Sequence, residues 1–268
     1  MKLFGWVFAA CSLMLVSYSG NALAENFSGI WWDSDKPGTG VFLTLSDDNT
    51  TACGTWYLYD ENGKPIWFSF WGVMRDNRLQ ASLYKFYGPP MGQPWDSAMV
   101  HSENVGVVDI TFISPDSVVM RYDLDQTSGK LNLVRFSLLS CPGSLLWDPE
   151  KSGQGMARFH YPGPDGDMSG LIWYVYDQDG NCTWYTATGH VGTHIFDLWQ
   201  FTGPSLLDEW DASLVKGSRV GSAQITVQGF DLATQTPTDM KVYFNVDGVG
   251  VMEMNLHPFK CPVAVPAL

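Results

Sequence analysis

Hydrophobic positions along this chain fall in short runs, and none of the runs has the spacing of a long amphipathic helix. The runs are rich in aromatic and β-branched residues, and Gly, Pro, Asn or Asp separates each run from the next. This pattern predicts an all-β protein of short strands joined by turns. In the first part of the chain the predicted strands are 27–33, 41–46, 53–60, 65–73, 80–87, 105–113, 117–124 and 130–138, and in the second part they are 144–148, 155–161, 169–177, 182–190, 195–202, 219–229, 239–246 and 249–256.

The second set of strands repeats the first. W-D-S-D-K-P-G-T-G at 32–40 returns as W-D-P-E-K-S-G-Q-G at 147–155. W-Y-L-Y-D-E-N-G-K-P-I-W-F at 56–68 returns as W-Y-V-Y-D-Q-D-G-N-C-T-W-Y at 173–185. Two further blocks follow in the same order at nearly the same offset. A fixed order at a fixed spacing indicates a tandem duplication.

Each repeat is predicted to form one domain of eight strands, over residues 25–141 and residues 142–268. Short turns between consecutive strands, such as D-E-N-G at 60–63, favour an antiparallel meander. Eight such strands can close into an up-and-down barrel, avidin-like or lipocalin-like in strand count, which removes exposed sheet edges. A β-sandwich in each repeat is the alternative.

Four predicted strands are apolar on both faces, whereas a half-exposed strand alternates apolar and polar residues. The runs concerned are 56–59, 66–71, 172–176 and 184–185. One face of each strand has to fill its own repeat, and the other has to be covered by the partner repeat or by a ligand. We therefore expect the two repeats to pack on one another through these strands.

The first 24 residues have the features of a secretory signal peptide. Lys2 supplies the positive charge, residues 3–16 form the apolar stretch, and Ala22-Leu23-Ala24 offers a small-residue cleavage site. We expect cleavage before Glu25 and export to the periplasm or the extracellular space. No later apolar run has the length of a membrane helix, so no membrane insertion is predicted.

The chain is strongly acidic, with 28 Asp and Glu against 15 Lys and Arg and a formal net charge of -13. Removal of the leader takes away one lysine and no acid, so the exported protein is more acidic still. A nucleic-acid backbone would repel such a surface, and no basic patch compensates. The charge therefore excludes nucleic acid as a partner.

Four cysteines follow the leader, namely Cys53, Cys141, Cys182 and Cys261. An even number in an exported protein predicts disulfides, for which three full pairings exist. We predict a Cys53–Cys141 bond, because the third strand of an up-and-down barrel starts at the end where the eighth strand finishes. Cys182 and Cys261 would lie at opposite ends of the second barrel, so their pairing stays open.

Residues retained in both repeats are the candidates for a binding site. Aromatic rings stack on sugar faces or enclose flat apolar molecules, and carboxylates accept hydrogen bonds from hydroxyl groups. The structural alternative is that the rings fill the barrels and the carboxylates bond to turn amides. The predicted ligand-binding residues are Trp32, Asp33, Trp56, Tyr59, Trp67, Trp147, Asp148, Trp173, Tyr176 and Trp184.

No catalytic residue, metal site or cofactor is predicted. Asp33, Asp60 and Asp96 recur in the second repeat, but no pair of carboxylates has a spacing that indicates glycoside hydrolysis. The G-x-S-x-G, H-E-x-x-H and G-x-x-x-x-G-K-[ST] motifs do not occur. His190 and His194 lie in a predicted loop region without a ligand framework. The sequence therefore favours a non-enzymatic protein.

The W-D-x-[DE]-K-x-G-x-G block and the later W-Y-x-Y-D-x-x-G-x-x-x-W motif resemble a repeat of Trp-rich, tandem-repeat secreted bacterial proteins. Trp31-Trp32 and the W-D-P of 147–149 match the opening of that repeat. The resemblance spans essentially the whole chain after the leader. It implies export and duplication, and it carries no established activity and no site residue.

We therefore expect an exported, non-enzymatic protein that binds a carbohydrate or a flat apolar small molecule through aromatic surfaces. The alternative is a structural or surface-assembly protein whose aromatic faces bind another surface protein, and a hydrolase acting on an extracellular polymer comes third. Any ligand site is predicted where the repeat-opening loops, 33–40 and 148–155, meet the aromatic strands.

Overall fold

The computed structural model describes residues 27–125, 127–136, 144–232 and 236–262. The predicted leader lies outside these residues. The described chain forms two closed antiparallel barrels of eight strands. The first contains β1 (Gly29–Trp32), β2 (Gly40–Leu45), β3 (Thr51–Tyr59), β4 (Pro65–Arg75), β5 (Arg78–Tyr87), β6 (His101–Ser114), β7 (Ser117–Leu124) and β8 (Thr127–Arg135). The second contains β9 (Ser144–Trp147), β10 (Gly155–Gly163), β11 (Gly166–Tyr176), β12 (Cys182–His190), β13 (Ile195–Thr202), β14 (Lys216–Asp231), β15 (Thr236–Val246) and β16 (Gly250–Pro258).

Both barrels close by pairing their first strand with their last, which confirms the predicted meander and excludes the sandwich. In the first barrel Trp32 of β1 pairs with Val134 of β8. In the second barrel Trp147 of β9 pairs with His257 of β16. Closure leaves neither barrel with an unpaired edge strand, which is the reason a chain of short strands adopts it.

Large side chains fill the interior of each barrel. In the first barrel, the ring of Trp56 packs against Phe68 and Tyr122, with centroid distances of 6.0 and 5.0 Å. In the second barrel, Trp173 stacks on Phe244 at a centroid distance of 3.8 Å. Barrels of eight strands have an interior that side chains can fill, so both barrels have a packed core.

Strands β6 and β14 begin earlier than predicted, at His101 and Lys216. The predicted strand began at 105, but the backbone of residues 101–104 also pairs with β5. The register shifts within both long strand pairs, beside Gly106 and its counterpart Gly221. A Cβ at Gly106 would lie 2.1 Å from a carbonyl oxygen of β7, so this bulge requires glycine.

The outer faces of the two barrels pack together along β3 and β4 of the first and β11 and β12 of the second, a contact that we call the seam. Trp67 Nε1 donates to the carbonyl of Val175, and Trp184 Nε1 donates to the carbonyl of Leu58, both at 3.2 Å. Trp184 is the repeat counterpart of Trp67, so the two hydrogen bonds are reciprocal. The seam therefore has the character of an isologous, two-fold interface within one chain. The predicted packing of the repeats is confirmed.

Two loops cross the seam, residues 88–96 from the first barrel and residues 203–211 from the second, and we call them the exchanged loops. Gly88 N donates to the carbonyl of Gly180 at 3.0 Å, and Gly203 N donates to the carbonyl of Gly63 at 3.1 Å. Met91 is buried in the core of the second barrel. Its counterpart Leu206 packs against the core of the first. Each barrel is thus completed by a loop of the other.

The predicted Cys53–Cys141 bond is wrong, because Cys53 is bonded to Cys261 with a Cα–Cα distance of 5.7 Å. Side chains alternate along β3, and Cys53 shares its outward face with Tyr57, which contacts Tyr174 across the seam. The thiol therefore faces the second barrel and the segment that follows β16. Cys141 lies outside the described residues.

Candidate functional site

The predicted ligand-binding residues lie in three different environments. Trp56 and Trp173 are fully buried inside the barrels. Tyr59, Trp67, Tyr176 and Trp184 are buried at the seam. Trp32 and Trp147 are partly exposed on the outer faces, where each makes an edge contact, with Phe136 and Phe259 respectively.

The two aspartates among the predicted residues are buried in the opening loops. Asp33 Oδ1 accepts from Asp35 N at 3.1 Å, and its Oδ2 accepts from Asn132 N of β8 at 2.9 Å. Asp148 makes the same two hydrogen bonds, from Glu150 N and from Asn255 N of β16, both at 3.0 Å. Each carboxylate therefore fastens an opening loop to the last strand of its barrel, and its acceptor oxygens are already in use.

An apolar groove opens along the seam, and we call it the seam groove. It encloses about 280 Å³. Trp67 and Trp71 of the first barrel line it together with Trp147 and Tyr174 of the second, and the rings of Trp67 and Tyr174 contact each other at a centroid distance of 5.6 Å. Its apolar and aromatic lining residues are Trp67, Phe70, Trp71, Phe86, Leu145, Trp147, Tyr174, Phe259 and Pro262. Few polar side chains face it, so it is suited to an apolar ligand.

The space between the aromatic lining residues of the seam groove is open, whereas aromatic rings occupy the corresponding place on the second barrel. There, Phe159 and Tyr161 pack against Phe136 at centroid distances of 5.7 and 5.4 Å. The first repeat carries the small residues Thr44 and Ser46 at the positions of Phe159 and Tyr161. The two sides of the seam therefore differ in these side chains, although neither Thr44 nor Ser46 lines the groove itself.

A second cavity, which we call the chamber, lies at the end of the second barrel beneath the exchanged loop 88–96. It encloses about 290 Å³. Trp95 of the loop lines it together with Trp173, Lys151 and Glu253 of the second barrel. The opening loop and the aromatic strand β11 meet there, as the sequence predicted for a ligand site. Gln154 borders both the chamber and the seam groove.

Polar groups of the chamber are incompletely paired within the described part of the chain. The buried Nε1 atoms of Trp95 and Trp173 have no hydrogen-bond partner there. The Lys151 ammonium donates to the carbonyl oxygen of Glu253. The Glu253 carboxylate forms an ion pair with Lys241 at 2.7 Å, and this hydrogen bond lowers the pKa of Glu253.

Burial keeps the titratable groups of the seam in their protonated forms. Burial raises the pKa of Tyr59, Tyr174 and Tyr176 well above the ordinary value. Burial also raises the pKa of the free Cys182 thiol, which contacts the carbonyl of Trp67 at 3.5 Å. These groups therefore stay protonated at neutral pH, and a protonated, enclosed thiol is a poor nucleophile. Among the described residues, no group of three or more His, Cys, Asp or Glu has the arrangement of a metal site.

The structure brings Trp67 and Trp147 together in the seam groove, and Trp173 and Tyr176 together in the chamber. Trp95 and Lys151 were not among the ligand-binding residues predicted from the sequence. Each has an identical counterpart in the other repeat, Trp210 and Lys36 respectively, and this retention was a usable signal. Trp71 and Phe259 of the groove were not predicted either. Trp71 corresponds to Thr188, so comparison of the repeats gave no signal at that position.

Comparison with protein-family models, with curated proteins and with solved structures finds no match to this chain. Within the described residues, no helix has the length and apolar character required to cross a membrane.

Proposed function

We propose that this protein is an exported, non-enzymatic binding protein that holds a flat apolar small molecule in the seam groove. The observation that carries the proposal is the open aromatic groove of about 280 Å³ between the barrels. Aromatic rings that line a cleft can stack on the face of a planar ligand. Such a ligand would replace the ring contacts that Phe159 and Tyr161 supply at the corresponding place on the second barrel.

The lining of the groove favours an apolar molecule over a carbohydrate. A sugar needs hydrogen-bond partners for its hydroxyl groups, because buried polar groups without partners are destabilising. The described groove offers few such partners, chiefly Thr55, Ser69 and Gln154. The Trp67 indole is already engaged with the carbonyl of Val175. A carbohydrate that stacks on Trp147 alone is therefore a weaker candidate.

Export is part of the proposal. It rests on the predicted leader of residues 1–24, and the Cys53–Cys261 disulfide is compatible with an oxidising compartment. A structural or surface-assembly role is the second candidate. The observation that favours it is the burial of Tyr59, Trp67 and Trp184 at the seam, where retained aromatic residues pack the two repeats instead of facing a ligand.

A neutral, planar fluorescent probe tests the proposed binding, and the duplication provides a matched control. We expect N-phenyl-1-naphthylamine to bind the secreted protein saturably, with fluorescence enhancement as the measurement. Trp147→Ala should weaken binding about tenfold, or about 1.4 kcal/mol, because it removes one wall of the groove. Trp32→Ala changes the corresponding tryptophan beside the filled site and should leave affinity nearly unchanged.

Circular dichroism and denaturant unfolding of both variants separate a lost site from a lost fold. Absence of saturable probe binding to the folded wild-type protein would refute the proposal. An equal loss of affinity in folded Trp32→Ala and Trp147→Ala would also refute it, because only Trp147 lines the groove. If both substitutions unfold the protein, these tryptophans are core residues and the seam groove loses its proposed role.

A further inference from the structure

We propose that the chamber is a second ligand site, and that it takes a small molecule with a carboxylate group on an apolar body. This site goes beyond the seam groove, which is lined by other aromatic residues and suits an uncharged ligand. The chamber combines an enclosed apolar shape, unpaired donors in its wall and a lysine whose ammonium group bonds to a backbone carbonyl.

The walls of the chamber are mostly apolar. Pro89 and Pro90 of the exchanged loop face Val175, Met252 and Met254 of the second barrel. A volume of about 290 Å³ lies at the small end of the range for ligand pockets. Proline residues restrict the loop backbone, so the cover over the chamber is partly fixed before a ligand binds. These walls would enclose a short aliphatic or aromatic body.

Two indole N–H groups of the chamber lack acceptors. Trp173 is fully buried and lines the cavity, yet its Nε1 has no hydrogen-bond partner among the described residues. Trp95 lies in the exchanged loop above, and its Nε1 is also buried without a hydrogen-bond partner among the described residues. A buried donor without an acceptor is unfavourable, and an oxygen of a bound molecule would correct it. The indole can only donate, so the chamber calls for an acceptor.

Lys151 favours an acceptor that carries a negative charge. The side chain is half-buried, and no ion pair with a carboxylate is recorded for it within the described ranges. Its ammonium group bonds to a backbone carbonyl. Glu253 is the acidic residue of the chamber wall, and Lys241 pairs with its carboxylate. Lys151 also lowers the pKa of that carboxylate, but less than Lys241 does, so its ammonium group can still pair with a ligand carboxylate.

The corresponding end of the first barrel also has unpaired indole groups, at Trp56 and Trp210, but it differs in charge and therefore provides the control. Lys36, the counterpart of Lys151, lies over the ring of Trp210 at 5.7 Å. The exchanged loop above it carries Asp208 and Glu209, whereas the loop above the chamber has the neutral sequence P-P-M-G-Q-P-W at 89–95. The acidic residues of that loop would repel the carboxylate of a ligand. Carboxylate binding is thus expected at the second barrel.

Isothermal titration calorimetry of the full secreted protein tests this assignment with sodium hexanoate, and with hexanamide as the uncharged analogue. We expect saturable hexanoate binding and an affinity for hexanamide at least about tenfold lower. Lys151→Met should weaken hexanoate binding about tenfold, and Trp173→Phe about fivefold, because each removes one donor. The matched variants Lys36→Met and Trp56→Phe should retain the wild-type affinity.

Further measurements identify the class of acid that binds and state which results overturn the proposal. N-acetylleucine distinguishes the sources of the carboxylate: tighter binding than hexanoate indicates a peptide C-terminus, and weaker binding indicates an aliphatic acid. Failure of folded wild-type protein to bind either acid would overturn the proposal. Equal affinity for hexanoate and hexanamide would do the same, as would an equal loss in Lys36→Met. If Trp173→Phe does not fold, Trp95→Phe supplies the same test from a partly exposed ring.

Trp147→Ala separates this site from the seam groove. That residue lines the groove and does not line the chamber. Its substitution should therefore leave hexanoate affinity unchanged, whether or not the seam groove binds its own probe.

Discussion

At the scale of single residues, the retained aspartates either fasten a buried loop to a strand or stabilise an exposed turn. Asp33 and Asp148 were candidate ligand residues, but each is buried and accepts two backbone hydrogen bonds. Asp60 and Asp177 were predicted to stabilise turns, and Asp60 Oδ1 accepts from Asn62 N and Lys64 N at 2.9 and 2.8 Å. The difference is burial, because water can replace a partner at the exposed turn but not inside the opening loop.

The buried and the exposed aspartates should contribute differently to the free energy of unfolding. Asp33→Ala should lower the free energy of unfolding by about 2–3 kcal/mol, because it leaves two amide groups without their charged acceptor. Asp60→Ala removes a carboxylate from a solvent-accessible turn and should cost about 1 kcal/mol. Denaturant unfolding of both variants measures the difference. An effect of Asp33→Ala no larger than that of Asp60→Ala would show that the bonds to Asp35 and Asn132 do not hold the barrel closed.

At the scale of elements, the strands with two apolar faces account for the seam. Trp56 faces the interior and its neighbour Tyr57 faces the partner barrel, where Tyr174 lies 6.5 Å away. The alternation of side chains along a strand assigns each face to one of two cores. Tyr174 and Tyr176 place their hydroxyl groups against backbone carbonyls, whereas the hydroxyls of Tyr57 and Tyr59 have no partner among the described residues. Tyr176 donates to the carbonyl of Gly153 at 2.7 Å.

The pH dependence of stability follows from the same seam tyrosines. Burial raises the folded-state pKa of Tyr59, Tyr174 and Tyr176 above the unfolded value of about 10. The folded state then holds more protons than the unfolded state at alkaline pH. Their contribution to stability is therefore fully present below about pH 10 and is lost as pH rises above it, by about 1.4 kcal/mol per pH unit for each group.

Tyr59→Phe and Tyr176→Phe form a matched pair for this prediction. The buried Tyr59 hydroxyl has no partner among the described residues, so Tyr59→Phe should leave neutral-pH stability unchanged or raise it. Tyr176→Phe loses a hydrogen bond and should cost about 1 kcal/mol at neutral pH. Both variants should lose less stability than wild type on alkaline titration, measured by denaturant unfolding. A wild-type alkaline slope in both variants would contradict this account.

At the scale of the whole molecule, duplication has produced a two-fold pair of barrels within one chain. The reciprocal bonds of Trp67 and Trp184 and the exchanged loops join the two halves. The Cys53–Cys261 disulfide links them covalently across a separation of 208 residues. Cross-links over long segments restrict the unfolded chain most strongly in the chain-entropy description. The halves are therefore expected to be one cooperative unit.

Expression of the two halves, residues 25–141 and residues 142–268, tests that cooperativity. Each half alone leaves its seam face uncovered and lacks the loop that completes its barrel, so it should bind a hydrophobic dye and unfold at lower denaturant concentration. Mixing the halves should restore the dye-free state and form the Cys53–Cys261 bond under oxidising conditions. Two monomeric halves with the stability of the intact chain would contradict the prediction.

The sequence alone determined the features that depend on local patterns. Aromatic and β-branched runs separated by turn residues predicted the strands, and the recurrence of Trp67 as Trp184 predicted two equivalent units. The apolar outward faces of 56–59 and 173–176 predicted that the units would pack together. Short connections made an antiparallel meander the simplest arrangement, and the closed barrels confirm it.

Only the tertiary structure decided the features that depend on which distant surfaces meet. Cys53 bonds to Cys261 because β3 faces the other barrel, and a rule based on one barrel alone could not reveal that contact. The exchanged loops place Trp95 above Trp173, although the two residues belong to different repeats. The groove brings together Trp71 and Phe259, which also belong to different repeats. Strand patterns are set by neighbouring residues, whereas cavities and cross-links are set by the packing of complete barrels.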